Sequence, residues 1–280
     1  VTLAGLTTAL QIKGSKLADE RILFLGAGSA AIGMANMIAS AMQAKGLSKE
    51  DAAARVSMFD SKGLIEASRD DLSPPAAGLR PRGAAVERPR ANHRGAETDG
   101  ADGRQHAGRR VRSTRDRAMS KLNERPIIFA LSNPTEKSEC TAEQAYTWSK
   151  GKALFAGGGQ FPDVTVNGKL FHPGQANNMY VFPAIGLATY CARPRRLTDE
   201  CFVAAAEASA DQVSHDLRDK GMLFPGQDNI LETEVTTATR VAEFMFKNGL
   251  ATADRPRDIR AWIEGQLYRP EYATTAEQLR

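Results

Sequence analysis

Four short strings in this 280-residue chain hold side chains or backbone able to do chemistry. The first is Gly26-Ala27-Gly28-Ser29-Ala30-Ala31-Ile32-Gly33, directly behind the apolar run Ile22-Leu23-Phe24-Leu25. Gly26 permits a tight turn, Gly28 lets backbone approach a diphosphate, and the small Ala31 and Gly33 let a following helix sit close to a sheet. The start of that helix adds unpaired N–H groups and a positive dipole end. A glycine-rich turn with no ligand is the alternative. The second is Asp60, closing Val56-Ser57-Met58-Phe59. A carboxylate at that point can hydrogen-bond the adenosine ribose of a dinucleotide, or it can be a solvated turn residue. Ser61 and Lys62, next in the chain, could tolerate a 2′-phosphate, so NAD and NADP both stay open. The third is Asn133, in Ser132-Asn133-Pro134-Thr135 behind Pro126-Ile127-Ile128-Phe129-Ala130-Leu131. Its amide can accept from and donate to a carboxamide or hydroxyl. The fourth is Asn177-Asn178, after Pro173-Gly174-Gln175-Ala176. Paired asparagines before a helix are more often caps than ligands.

These residues need a scaffold, and the hydrophobic pattern supplies an open α/β sheet. The run 21–25 reads as a buried parallel strand, followed at once by a helix from Ala30 to about Lys45. Residues 1–13 read as a helix ending at Gly14, and 47–55 as a short helix with Ser48 as cap. A second strand covers 56–59, and its extra preceding helix explains why Asp60 lies further than the usual ~20 residues from the glycines. Further strands are expected at 126–131 and 153–156, the latter opening into Gly157-Gly158-Gly159. Ligands of such sheets bind at the carboxyl ends of the strands, where Asn133 falls. Thr141 to Gln144 has a capping pattern. Helices are expected over 179–191, from about 198 to 217, 229–248 and 256–266.

Composition narrows the class. No apolar run approaches the ~20 residues that span a bilayer, and no secretory leader pattern is present. Cys140, Cys191 and Cys201 share no redox or metal spacing and suit reduced, buried thiols in the cytosol or an organelle matrix. The net charge of +4 is local. Residues 73–117 hold eleven arginines against five acids, so the remainder of the chain is slightly acidic. With only Leu79, Val86 and Val111 as sizeable apolar residues, that window cannot form a buried strand and helix. It reads as a basic arm, a flexible insertion, or a stretch translated out of frame. The abrupt edges between well-patterned flanks favour the last. A nucleic-acid role for the window lacks interleaved aromatics, and nucleic acid and membrane are not expected partners.

Several strings together resemble the NAD(P)-binding domain of malic enzymes, the oxidative decarboxylases of malate. They are Val1-Thr2-Leu3-Ala4-Gly5-Leu6, the turn from Ile22 to Gly28, and Phe59-Asp60-Ser61-Lys62-Gly63-Leu64. Residues Asn123 to Thr135, Glu139 to Tyr146, and Pro173-Gly174-Gln175 with Asn177-Asn178 complete the match, which leaves out only 73–117. The resemblance implies a Rossmann-like, doubly wound, mostly parallel sheet flanked by helices over 1–250. An additional C-terminal helical tail would occupy 251–280. It implies that Gly26, Ala27, Gly28, Ser29, Ala30 and Ala31 bind the diphosphate of NAD or NADP and Asp60 the adenosine ribose. It also implies that Asn133 and Asn178 face malate and the nicotinamide, with Asn177 beside them.

The departures matter equally. In the family a Mg or Mn ion is held by three carboxylates that precede the first residue here. The acid–base tyrosine and lysine also lie in an N-terminal domain, so no catalytic or metal-ligating residue is named in this chain. The family strand ending in a Gly-Val-Ser-like string should fall inside the Arg-rich window. Its Ser-Gly-Ser-Pro-Phe loop reads here as Gly157-Gly158-Gly159-Gln160-Phe161, without hydroxyls or proline. The expectation is a malate-linked NAD(P)-binding portion, inactive alone, from a family of homo-oligomers. A non-catalytic dinucleotide-binding module is the rival.

Overall fold

At residue 26 the apolar spacing changes from that of a strand to that of a helix, and the first unit of the fold is built there. The computed structural model describes residues 1–60, 62–65, 69 and 119–268. Helix α1 (Thr2–Lys13) ends where Gly14 takes a left-handed conformation, φ 72°, and donates its N–H to the Leu10 carbonyl. Strand β1 (Ile22–Leu25) leads through the turn into α2 (Ser29–Ala44). Helix α3 (Lys49–Ala54) starts on the Ser48 side chain, which accepts from the Asp51 N–H. Strand β2 (Val56–Asp60) then lies parallel to β1, pairing Ile22 with Val56 and Leu25 with Phe59. The short β3 (Gly63–Leu64) turns back antiparallel on β2.

The second half repeats the scheme. Strand β4 (Ile127–Ala130) is followed by α4 (Ala142–Trp148), whose start is a capping box between Thr141 and Gln144. Strand β5 (Leu154–Gly157) is parallel to β4. An antiparallel hairpin follows, β6 (Val164–Val166) and β7 (Lys169–Phe171), and then β8 (Gly174–Gln175), which is parallel to β5. Four helices close the fold, α5 (Phe182–Ala192), α6 (Asp199–Asp211), α7 (His215–Asp219) and α8 (Ile230–Lys247). The short α9 (Ile259–Glu264) starts on Asp258, whose side chain accepts from the Ala261 N–H.

The main core joins α1, α2, α5, α6 and α8 to β2, with Met42, Met58, Val241 and Met245 almost fully buried. Ile259 and Ile263 of α9 belong to that core. A smaller cluster sits under the second sheet around Tyr146, Phe155 and Phe171, with the Tyr146 and Phe171 rings stacked at 4.5 Å. No described helix is long and apolar enough to cross a membrane.

The fold class is the expected one, a Rossmann-like α/β arrangement with mostly parallel strands. Several details differ. The described strands fall into two three-stranded groups, β1-β2-β3 and β4-β5-β8, with β1 and β4 each at an edge. The apolar run of β1 predicts a buried strand, yet Leu23 and Leu25, two residues apart and so on one face of it, are 49% and 46% exposed among the described residues. The family strand expected inside the Arg-rich window falls outside the described residues, as does all of that window. Among the described residues Gly33 makes no close helix–sheet packing, since a methyl group built there meets none of them within 4 Å. The helix expected from 198 to 217 breaks after Asp211, and Ser214 caps a new one by accepting from the Leu217 N–H. The helix expected from Met179 begins with a 3-10 turn, Asn178–Tyr180, before α5.

Candidate functional site

The glycine turn lies at the carboxyl end of β1. Gly26, at φ 126°, occupies a conformation that disfavours any side chain. Its N–H donates to the Phe59 carbonyl at 2.8 Å, which ties the turn to the last residues of β2. Gly28 is the N-cap of α2 with extended backbone, and its carbonyl accepts from the Ile32 N–H at 3.0 Å. Among the described residues no side chain caps this helix, and no acidic residue lies in its first turn. The first N–H groups of a helix have no partner within it. Here Gly28, Ser29 and Ala30 are exposed, and a methyl group at Gly28 would meet none of the described residues within 4 Å. A sixteen-residue helix thus presents bare amides and its positive dipole end at the sheet's carboxyl edge, an arrangement that fits a diphosphate.

Asp60 ends the neighbouring strand. Both its oxygens are engaged: Oδ1 accepts from the Lys62 N–H at 2.8 Å and from Arg69 Nη1 at 2.9 Å, and Oδ2 accepts from Arg69 Nη2 at 2.8 Å. The fork geometry is the strong, bidentate kind. The Arg69 hydrogen bonds, assisted by the Lys62 amide, hold the Asp60 carboxyl below the usual carboxylate range. Sequence reading missed Arg69, since nothing in a nine-residue separation marks the pair.

The second cluster gathers at the carboxyl ends of β4, β5 and β8. Glu139 reaches back to the loop after β4, accepting from the Ser132 N–H at 3.2 Å and pairing with the Ser132 hydroxyl. Asn133 is exposed beside it, and its Nδ2 donates to the Gly158 carbonyl at 3.4 Å. Gln175 Nε2 donates to the same carbonyl at 3.2 Å. Gly158 allows no side chain, because a Cβ there would lie 2.3 Å from the Leu131 carbonyl oxygen. A Cβ on Gly159 would come within 2.6 Å of Thr135 Oγ1, and one on Gly157 within 2.4 Å of the Phe161 ring. The loop closes tightly around Gly157, Gly158 and Gly159, of which the first and third stand where the resemblance led to an expectation of serine hydroxyls. Asn177 acts as a cap, its Oδ1 accepting from the Met179 N–H at 3.0 Å, and Asn178 is exposed at the head of that turn.

The structure therefore builds two groups from the expected residues. Gly26 through Ala31 and Asp60 share one strand pair, while Asn133, Asn177 and Asn178 share the other. Among the described residues no backbone hydrogen bond joins the two groups. No set of three His, Cys, Asp or Glu side chains able to hold a metal occurs among the described residues, so these residues do not fit a divalent ion.

A parallel βαβ unit with a bare helix start behind a positive-φ glycine defines a dinucleotide-binding α/β domain. The model of the malic enzyme NAD-binding domain matches residues 1–94 and 105–246, and the chain belongs to that family. The match runs further into the Arg-rich window than the residue-by-residue resemblance did, and within that window it skips only 95–104. The chain is 39% identical over 286 residues to an NADP-dependent malic enzyme of Anas platyrhynchos, covering 97% of this chain and 49% of that protein. It is 38% identical over 277 residues to a mitochondrial NAD-dependent malic enzyme of Ascaris suum, covering 97% and 42%. The chain thus spans about half the length of the curated relatives it matches. The crystal structure of the Entamoeba histolytica malic enzyme shares its fold, with TM-score 0.67 and 21% identity over 94% of this chain and 51% of that one. The Pyrococcus horikoshii malic enzyme gives TM-score 0.64 at 23% identity, over 94% and 56%.

Proposed function

We propose that this chain is the dinucleotide-binding half of an oxidative malate decarboxylase, the parent reaction converting malate and NAD(P) to pyruvate, carbon dioxide and NAD(P)H. The observation that carries the reading is the uncapped start of α2 behind Gly26. The amides of Ser29, Ala30 and Ala31 receive the diphosphate, with Ala27 and Gly28 forming the approach. Asp60 lies at the adenosine ribose, and the side-chain amides of Asn133 and Asn178 take the nicotinamide carboxamide and malate, flanked by Asn177. When bound, NAD(P) supplies the hydride acceptor; the chain's own part is to bind and orient it.

The neutralised Asp60 bears on the choice of cofactor. Paired with Arg69 and next to Lys62, it does not present a bare negative charge to a 2′-phosphate. Both NAD and NADP are therefore accepted in this reading. The burial of Cys140, Cys191 and Cys201 supports a reducing compartment, cytosol or organelle matrix. Self-association into the dimers or tetramers of the family belongs to the same reading.

The test is a fluorescence titration of the 280-residue protein with NADH and NADPH. Saturable binding in the micromolar range is expected, without malate-dependent NAD(P)H formation by the chain alone. Gly28→Asp separates binding from folding. Aspartate is a better N-cap than glycine by a few tenths of a kcal/mol, so the melting temperature should hold or rise. Its carboxylate would stand where the diphosphate sits, and affinity should fall at least tenfold. Undiminished NADH binding by this variant would refute the site. A non-catalytic binding module is the second reading, favoured by the lack of a metal-holding group among the described residues. Activity restored by adding the remaining half of a malic enzyme decides against it.

A further inference from the structure

The Gly158 carbonyl accepts two side-chain amides, one from the loop after β4 and one from the end of β8. A carbonyl oxygen has two lone pairs, so Asn133 and Gln175 together fill its accepting capacity. Because a carbonyl cannot donate, both amides must turn their nitrogens toward it. This fixes which face of Asn133 carries Oδ1. The carbonyl itself cannot shift. The Gly158 N–H donates to the Ala130 carbonyl at 2.9 Å, and its α-carbon is wedged against the Leu131 backbone. Gln175 is held equally well, since β8 pairs it with Gly157 and its carbonyl accepts from the Asn177 N–H at 2.9 Å.

We propose that Gln175 is a positioning residue: by sharing the Gly158 carbonyl with Asn133, it fixes the orientation of the Asn133 amide and locks that loop to the one bearing Asn177 and Asn178. Without Gln175 the second lone pair opens to water. The Asn133 bond, at 3.4 Å the longer of the two, then competes with solvent and its amide is free to turn over. The ligand group that reads this orientation is a planar carboxamide, which needs one donor and one acceptor in fixed places. The proposal rests on the nicotinamide reading above.

The experiment compares the wild-type protein with Gln175→Ala, Gln175→Glu, Asn133→Ala and the double alanine variant. Each is titrated with NADH and with ADP-ribose, which lacks the nicotinamide. Gln175→Ala should weaken NADH about tenfold and leave ADP-ribose unchanged, and the double variant should be no weaker than Asn133→Ala. Gln175→Glu should bind NADH poorly at pH 8 and regain affinity toward pH 5, relative to wild type, as the acid becomes protonated and donates again. In the ligand-free protein, the Asn133 side-chain NH2 signals, assigned by their loss in Asn133→Ala, should collapse toward solvent-averaged positions in Gln175→Ala. Unmoved amide signals, additive losses, or equal losses for NADH and ADP-ribose overturn the proposal. Failure of wild type to bind either ligand refutes the dinucleotide reading instead, and the amide signals alone then decide the shared-carbonyl role.

Discussion

Asp60 joins the proposed ribose site to the stability of the fold. Its carboxyl is held below the usual range by Arg69, so the folded state resists protonation more than the unfolded chain does. The pair's contribution is complete above the ordinary carboxylate pKa and disappears as pH falls through the lowered folded value. Stability should therefore rise with pH across that acidic window. Arg69→Ala should return the carboxyl toward its usual value and move the acid limb of a thermal-denaturation profile upward in pH. It should also weaken NADPH more than NADH, because a bare Asp60 repels a 2′-phosphate. An Asp60 carbon resonance titrating at the same pH in both proteins would sink this account. Half of the pair was legible in the sequence: Asp60 stands out through its place at a strand end, while an arginine nine residues on carries no local signal.

At the scale of elements, the sequence was clearest where local rules act alone. Gly14, Ser48 and the Thr141–Gln144 box each close or open a helix through their own backbone or side-chain preference, and each does so in the structure. The break after Asp211 was hidden because an alanine-rich run has no stop residue, and the stop comes from the Ser214 cap. The exposure of Leu23 and Leu25 was hidden for a different reason: an apolar run reveals what a strand could bury, not how much of it the described residues cover. The Gly158 acceptor is invisible in the same way, since a backbone carbonyl has no letter of its own. Only the triple glycine hinted at it. Gly158→Ala should cost about 2–3 kcal/mol, as overpacking against fixed backbone does. A denaturant midpoint equal to wild type would show that the β4 and β5 ends can part.

Across the described residues, the two clusters of candidate residues sit on separate strand groups, and one core of helices packs against both of them. Helix α8 packs against both α5 and α6, and α6 against α1 and α2, so the turn at Gly26 rests on a continuous apolar mass. The glycine turn at the head of α2 was the most legible part of the molecule, because strand, turn and helix all announce it within a dozen residues. The pairing of the asparagine loops was not, since it depends on residues 133, 158 and 175 meeting across the chain.

Helix α2 is left unfinished at its start among the described residues, and in the function proposed above the nucleotide completes it. Folding and cofactor concentration are then thermodynamically linked: at a hundredfold excess over the dissociation constant, a ligand bound only by the native state adds about 2.7 kcal/mol. Protease digestion at fixed temperature should slow as NADH is raised, and ADP-ribose should protect nearly as well because it carries the diphosphate. In a cell, the lifetime of this chain would track the size of the dinucleotide pool.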